Sequence, residues 1–152
     1  MSQVTEVIFL DWLQHLLSEN KASFGIDTVY TKETLPAKVM PRFLMIFWSS
    51  IGPEEEGPEL QYYVEFNLGI VVVVSGAGAE RTSLKIAAQV RNYIRQNISS
   101  TGISNIHPTT LRFGEILKED ADEDGDDQER PTLKVATLPL SIEYEYPIFT
   151  GS

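Results

Sequence analysis

Cysteine is absent from this chain of 152 residues. Disulfides and thiolate metal sites are therefore excluded, and nothing in the composition points to secretion. The longest apolar runs, residues 43–48 and residues 70–74, are far shorter than the roughly 20 residues that cross a bilayer. The amino terminus has no basic region before its apolar stretch, unlike a signal peptide. We therefore expect a protein that folds in a reducing cytoplasm and does not act at a membrane.

Basic residues are also few: 12 lysines and arginines stand against 22 acids, a formal net charge of −10. Eight of these acids lie in residues 119–129, which hold no base, so the remainder has 14 acids against 12 bases. That nearly neutral remainder shows no basic stripe of the kind that nucleic-acid binding requires. An acidic run cannot bury enough apolar surface to offset the entropy of ordering, so residues 119–129 are expected to form a mobile loop. The length suits a single domain over residues 1–152.

The clearest pattern lies in residues 62–74, where apolar side chains occupy every second position. Alternation over this length predicts a long antiparallel strand with one face in the core, at the centre of the fold. Residues 133–146 alternate in the same way and predict the last strand. The core-facing sets are Tyr62, Val64, Phe66, Leu68, Ile70, Val72 and Val74 in the first strand and Ala136, Leu138, Leu140, Ile142, Tyr144 and Tyr146 in the second.

Helical periodicity marks residues 4–17 and residues 82–98. The apolar sector of the first helix, which includes Phe9, Trp12 and Leu16, spans more than half of the circumference. A helix that docks on one sheet face needs a narrower apolar sector. This helix is therefore either well buried within the domain, or one of its flanks meets a second subunit.

The second helix is expected to begin at an N-cap, Thr82 or Ser83, and to bury a stripe that starts at Leu84. Residues 39–49 are apolar throughout their middle and predict a strand buried on both faces. Residues 110–117 predict a further strand. The predicted element order is αββαββ.

The sequence thus predicts a single α+β domain. Its sheet is mostly antiparallel or mixed, with about four or five strands, and two helices flank it. Pro41 and Pro139 lie within predicted strands, and proline cannot donate to a ladder. Pro41 therefore indicates a sheet edge, and Pro139 indicates an edge or a bulge.

A glycine pair, Gly76 and Gly78, follows a predicted strand and precedes a helix, as in a dinucleotide-binding fingerprint. The third glycine position of that fingerprint is occupied by Arg81. The preceding strand also alternates, unlike the continuous apolar strands of parallel sheets. We expect a strand-to-helix turn here and no bound cofactor.

Four aspartates, Asp120, Asp122, Asp124 and Asp126, are spaced like the opening of a calcium loop. The twelfth position of such a loop carries a bidentate glutamate, and here it is Pro131. A solvated loop with weak affinity for divalent ions explains the pattern better, so no metal site is assigned.

Catalytic constellations are missing from the sequence. His15 lies on the polar side of its helix, and His107 precedes a proline in a loop. The paired acids Glu143 and Glu145 fall on the exposed face of a strand. No catalytic, cofactor-binding or metal-binding residue is predicted, and the protein is not expected to be an enzyme.

The order of these elements and three stretches of sequence resemble the tail terminator proteins of tailed bacteriophages, also called tail completion proteins. The stretches are residues 62–74, residues 79–94, which open Ala-Glu-Arg-Thr-Ser, and residues 138–146, which read Leu-Pro-Leu-Ser-Ile-Glu-Tyr-Glu-Tyr. The resemblance extends over roughly residues 4–148 and lies in architecture and local sequence, without an invariant motif.

The resemblance implies a structural virion protein at the head-proximal end of the tail. Such proteins form a ring, usually a hexamer, that caps the tail tube, ends its elongation and provides the surface for head attachment. The partners would be further copies of the chain, the tail tube protein and a head connector or stopper protein. DNA would pass through the lumen without specific binding, and the virion would assemble in the host cytoplasm.

Two alternatives remain open on the sequence. Another head-to-tail neck component, an adaptor or a stopper, would share the size, acidity and assembly behaviour. A small nucleotide- or metal-dependent enzyme would use the turn at Gly76 or the acids of residues 120–126.

Overall fold

The computed structural model describes residues 4–34, 36, 42–56, 61–102, 111–120 and 133–147. These residues form three α-helices and seven β-strands. The helices are α1 (Thr5–Glu19), α2 (Lys21–Phe24) and α3 (Ala79–Asn97), and the strands are β1 (Thr28–Thr31), β2 (Phe43–Ile51), β3 (Glu55–Glu56), β4 (Gln61–Ser75), β5 (Arg112–Phe113), β6 (Leu117–Asp120) and β7 (Leu133–Pro147).

The strands lie in one sheet, in the order β1–β2–β4–β7–β5, with β3 also paired to β4 and β6 also paired to β7. β1 runs parallel to β2, whereas the other pairings between described strands are antiparallel. The prediction of an α+β fold with a mixed, mostly antiparallel sheet is confirmed. The three short elements α2, β1 and β3 were not predicted from the sequence.

The two long strands form the centre of the sheet, as predicted. β4 and β7 pair in unbroken register from Gln61 opposite Pro147 to Ser75 opposite Leu133. One face of this pair is buried, through Val64, Phe66, Leu68, Ile70, Val72 and Val74 of β4 and Ala136, Leu138, Leu140, Ile142 and Tyr144 of β7.

Helices α1 and α3 cover that buried face. α3 packs on β4 and β7, and α1 packs on β1. One hydrophobic cluster joins them, with Phe9, Leu13 and Leu17 of α1 and Ile86, Ala87, Val90 and Ile94 of α3 at its centre. Fully burying an aliphatic side chain contributes about 1.5–3 kcal/mol, so this cluster is the main source of stability.

The expectation that residues 39–49 are buried on both faces is wrong. In β2, Leu44 and Ile46 are buried on the helix side, whereas Phe43, Met45 and Phe47 are half-buried on the other side. No described element covers that second side, which explains the difference. Pro41, expected to mark an edge, lies outside the described residues.

The expected N-cap of the second helix is also wrong. α3 begins at Ala79, one turn earlier than Thr82 or Ser83, and its N-cap is Gly78 with φ 74°. The Ser83 side chain is buried and donates to the backbone carbonyl of Glu80. A glycine that tolerates a left-handed conformation allows the helix to start directly after the turn.

The strand predicted at residues 110–117 is two shorter strands, β5 and β6, separated by Gly114–Ile116. The interruption lies opposite Pro139 of β7. The Gly114 N–H donates to the Pro139 carbonyl at 2.9 Å, and in an antiparallel ladder the nitrogen of a residue points to the same side as its carbonyl. The Pro139 nitrogen, which has no hydrogen to donate, therefore faces the gap between β5 and β6.

Pro139 does not mark an outer edge, because β7 has neighbours on both sides and its register with β4 is continuous. On the other side, the pairing shifts by one residue across the gap, from Phe113 opposite Leu140 to Leu117 opposite Thr137, so the irregularity expected at Pro139 is present. A further bulge lies between Trp48 and Ser50 of β2. Proline is tolerated inside the sheet because the neighbouring strand breaks at this position.

Candidate assembly surface

The glycine turn predicted from the sequence joins β4 to α3. Gly76 and Gly78 both have positive φ and form the turn between β4 and α3, and Arg81 is exposed on the first turn of α3. β4 is antiparallel to both neighbours. The turn therefore lacks the parallel βαβ setting in which helix N-termini hold pyrophosphate.

The histidine and calcium-loop candidates are only partly visible. His15 is exposed on α1, with its Nε2 2.9 Å from Glu19 Oε1. Asp120 is the last residue of β6, in strand register opposite Lys134. His107, Asp122, Asp124 and Asp126 lie outside the described residues. Within the described ranges, no three His, Asp or Glu side chains are grouped closely enough to hold a metal ion.

The sheet side opposite α1 and α3 is called here the helix-free face. Strand register places on it Phe43, Met45 and Phe47 of β2, Val71 and Val73 of β4, and Val135, Thr137 and Pro139 of β7. Most of these side chains are half-buried. Tyr30 of β1 lies on the same face, with its ring edge-on to Phe43 at 5.9 Å. One half of the helix-free face is therefore an apolar surface.

The other half of the helix-free face is acidic. Glu65 of β4 lies directly opposite Glu143 of β7, and Tyr63 lies between Glu145 and Glu55 of β3. Like charges opposite one another in a sheet disfavour the pairing modestly. This placement of Glu143 and Glu145 agrees with the prediction that they lie outside the core.

The outer flank of α1 carries a second apolar surface. Val4 and Val7 are 55% and 53% exposed, and Trp48 of β2 is 54% exposed across the groove between them. The groove measures about 630 Å³, and Leu10 and Asp11 also line it.

The residues first suspected of meeting a second subunit instead pack against the protein's own core. Phe9 is fully buried, and Trp12 and Leu16 pack on the core cluster. Trp12 also donates from Nε1 to Ser100 Oγ at 3.2 Å. Val7 and Leu10 were not identified from the sequence because the apolar residues of this helix were assigned to one wide sector. Both residues are apolar and lie on a separate flank, so the pattern itself indicated a second apolar surface.

Exposed apolar residues also lie at the opposite edge of the sheet, on both of its sides. Leu84 of α3 is 57% exposed on the helix side, and Leu117 of β6 is 50% exposed on the helix-free face, opposite Thr137. Beside Leu84, Lys118 forms an ion pair with Glu80, and the Arg95 guanidinium lies over the Phe113 ring at 5.1 Å. Leu84 therefore does not belong to the buried stripe to which its sequence position assigned it.

The sheet ends in two strands with a described neighbour on one side only, β1 at one edge and the interrupted pair β5 and β6 at the other. Such edges present unpaired backbone groups that can join another chain. Among the described helices, none has the length and apolar character to cross a bilayer.

Comparison with known proteins gives little. No protein-family model matches the chain, and no curated protein matches it. Among solved structures, the chain is similar to one from the virion of a native gene transfer agent (GTA) particle, at 18% identity over 82% of this chain and 84% of that chain, with a TM-score of 0.49. This likeness is too remote to carry an argument about function.

Proposed function

We propose that this protein is a structural virion component that forms a ring of six copies on the end of a phage tail tube. The ring ends tube elongation and provides the surface to which the head connector or stopper protein attaches. DNA passes through the ring without specific binding. This proposal combines the sequence resemblance to tail terminator proteins with the surfaces described above.

The observation that carries the proposal is the amount of apolar side chain outside the core. Val4, Val7, Trp48, Leu84 and Leu117 are each at least half exposed, and the helix-free face adds a further apolar half. Contiguous apolar surface on a folded protein marks contact with other proteins. Surfaces at both sheet edges and on one face suit a subunit with neighbours on two sides and a further partner above or below.

The acidic residues fit the same arrangement. Residues 119–129 carry eight acids, so six copies would bring together roughly 48 negative charges around one axis, enough to repel DNA or to steer a basic partner. The loop either lines the lumen or docks on a neighbouring protein.

Electron microscopy of the purified protein tests the proposal directly. We expect closed rings, either from the protein alone or on the ends of tail tubes, and tubes of uniform length when the protein is present during assembly. A protein that never joins tubes and stays monomeric at all concentrations would contradict the proposal.

A variant separates capping from folding. Met45→Glu places a charge in the apolar half of the helix-free face and should impair binding to the tube or the head without unfolding the subunit. Asn92→Glu, on the exposed surface of α3, is the matched control. A thermal-shift screen with nucleotides and divalent cations tests the enzyme alternative, and saturable binding below millimolar concentration would favour it.

A further inference from the structure

Two exposed surfaces lie at opposite edges of the sheet and differ in charge. We call the first the α1 rim, formed by Val4, Val7 and Asp11 of α1, Glu33 and Trp48. We call the second the α3 rim, formed by Leu84, Arg91 and Arg95 of α3. Each rim combines exposed apolar surface with charged side chains.

The α1 rim is concave. Its groove of about 630 Å³ lies between α1, the end of β2 and residues 31–34. Val7 and Trp48 stand on its two sides, each more than half exposed. The acids Asp11 and Glu33 line the same groove, together with a single base, Lys32.

The α3 rim follows one stripe of its helix. Leu84, Arg91 and Arg95 are seven and four residues apart, so they share a face. That face points to the β5 and β6 edge, because Arg95 lies over the Phe113 ring and its guanidinium donates to the Leu111 carbonyl at 3.4 Å.

Among the described residues, few acidic side chains lie on this side of the molecule. Glu80, one turn before Leu84, pairs with Lys118 of β6, and Glu115 lies in the break between β5 and β6.

The two helices are complementary in charge. α1 contains three acids and no lysine or arginine, whereas α3 contains four bases and one acid. Arg91 and Arg95 of the α3 rim would therefore face Asp11 and Glu33 of the α1 rim if the two surfaces met. Complementary charge fixes the register of a contact and suppresses wrong ones.

We propose that the α1 rim of one copy binds the α3 rim of the next copy. Leu84 of the α3 rim packs into the groove beside Val7 and Trp48, and Arg91 and Arg95 pair with the acids of the α1 rim. Because the two rims differ, the contact is heterologous and repeats from copy to copy until it closes. This inference rests on the proposed function only in assuming that copies of the chain associate.

The absence of cysteine makes a cross-linking test clean. In a Val7→Cys, Leu84→Cys double variant, a short bismaleimide should produce a ladder of covalent oligomers. Each single variant should give no product larger than a dimer. The control pair Val7→Cys, Gln89→Cys should give no ladder, because Gln89 lies on the flank of α3 that faces α2.

A charge-reversal series tests the electrostatic part of the contact. Arg91→Glu alone and Asp11→Arg alone should each weaken self-association by about tenfold or more at low salt. The two changes together should restore it, because opposite charges then face each other again. Lys85→Glu makes the same charge change on the α2-facing flank of α3 and should leave association unaltered.

Sedimentation velocity on the same samples separates the outcomes. Oligomers that form in the wild type without a ladder in the double variant, or that survive both single charge reversals, would overturn the rim contact and leave the proposed function standing. A wild-type protein that never associates, alone or on tubes, would overturn both.

Discussion

At Gly69, the absence of a side chain makes room for an aromatic ring. Gly69 lies opposite Phe47 in the β2–β4 ladder, and a Cβ built on it would overlap the Phe47 ring, with Cε1 at 2.6 Å. We expect Gly69→Ala to lower the free energy of unfolding by about 1–3 kcal/mol, because the ring must move.

Urea denaturation in two backgrounds checks this cause. Paired with Phe47→Ala, the Gly69→Ala change should cost much less than it costs alone, since the overlapping ring is gone. An equal cost in both backgrounds would mean that the glycine acts through the backbone and not through Phe47.

Gly78 is required for a different reason, the backbone conformation at the start of α3. Its φ of 74° lies in the left-handed region, and a Cβ there would meet nothing within 4 Å. We expect Gly78→Ala to cost about 1–2 kcal/mol through strain alone. Gly52→Ala is the control, because a Cβ there meets only ordinary contacts, the nearest at 3.5 Å; thermal denaturation that fails to separate the two variants would contradict this explanation.

At the scale of the helix, the buried stripe of α3 lies on Ile86 and not on Leu84. Ile86 is 2% exposed and Leu84 is 57% exposed. We expect Ile86→Ala to lower the free energy of unfolding by about 2–5 kcal/mol. Leu84→Ala should change it by no more than about 0.5 kcal/mol while weakening self-association. Equal losses of stability in both variants would show that Leu84 contributes to the core.

The stripe was misassigned because periodicity alone does not tell where a helix faces. Leu84 and Ile86 are both apolar and lie 200° apart around the helix, so either can begin a plausible set. The orientation of α3 is set by the sheet, because the buried face of the sheet meets Ser83, Ile86, Ala87 and Val90. Ser83 is accepted there because its hydroxyl donates to the preceding turn.

At the scale of the whole molecule, the acidic stretch is expected to be dispensable for folding. Replacing residues 121–129 by a short Gly-Ser linker should leave the melting temperature within a few degrees, because an acidic run of this kind contributes little buried surface. Replacing residues 119–129 should cost more, since Glu119 and Asp120 extend β6 opposite Val135 and Lys134. The originally expected loop therefore began two residues too early.

Scanning fluorimetry of both linker variants measures this difference, and infectious-particle yield measures the role of the acids. The shorter replacement should impair head joining or DNA passage more than tube capping. If the shorter replacement fails to fold, residues 121–129 are structural, and divalent-ion binding becomes the better explanation of the aspartate spacing in this stretch.

The long elements were predictable because their patterns are local. In residues 62–74 one face is apolar at every position, whereas the other carries Tyr63, Glu65 and Asn67, so the strand, its core face and its central position followed from the chain alone. The turn at Gly76 and Gly78 was readable for the same reason. Each of these features depends on neighbours a few residues away.

The assembly surfaces were decided by tertiary structure. β2 is uniformly apolar in sequence, and only its position between β1 and β4, with helices on one side, leaves Phe43, Met45 and Phe47 on the helix-free face. Likewise, Val7 and Leu84 are apolar residues within helices, and only the packing of α1 and α3 places them at opposite edges of the sheet. Burial is a property of what lies across from a residue, and a chain pattern specifies which residues share a face but not what covers it.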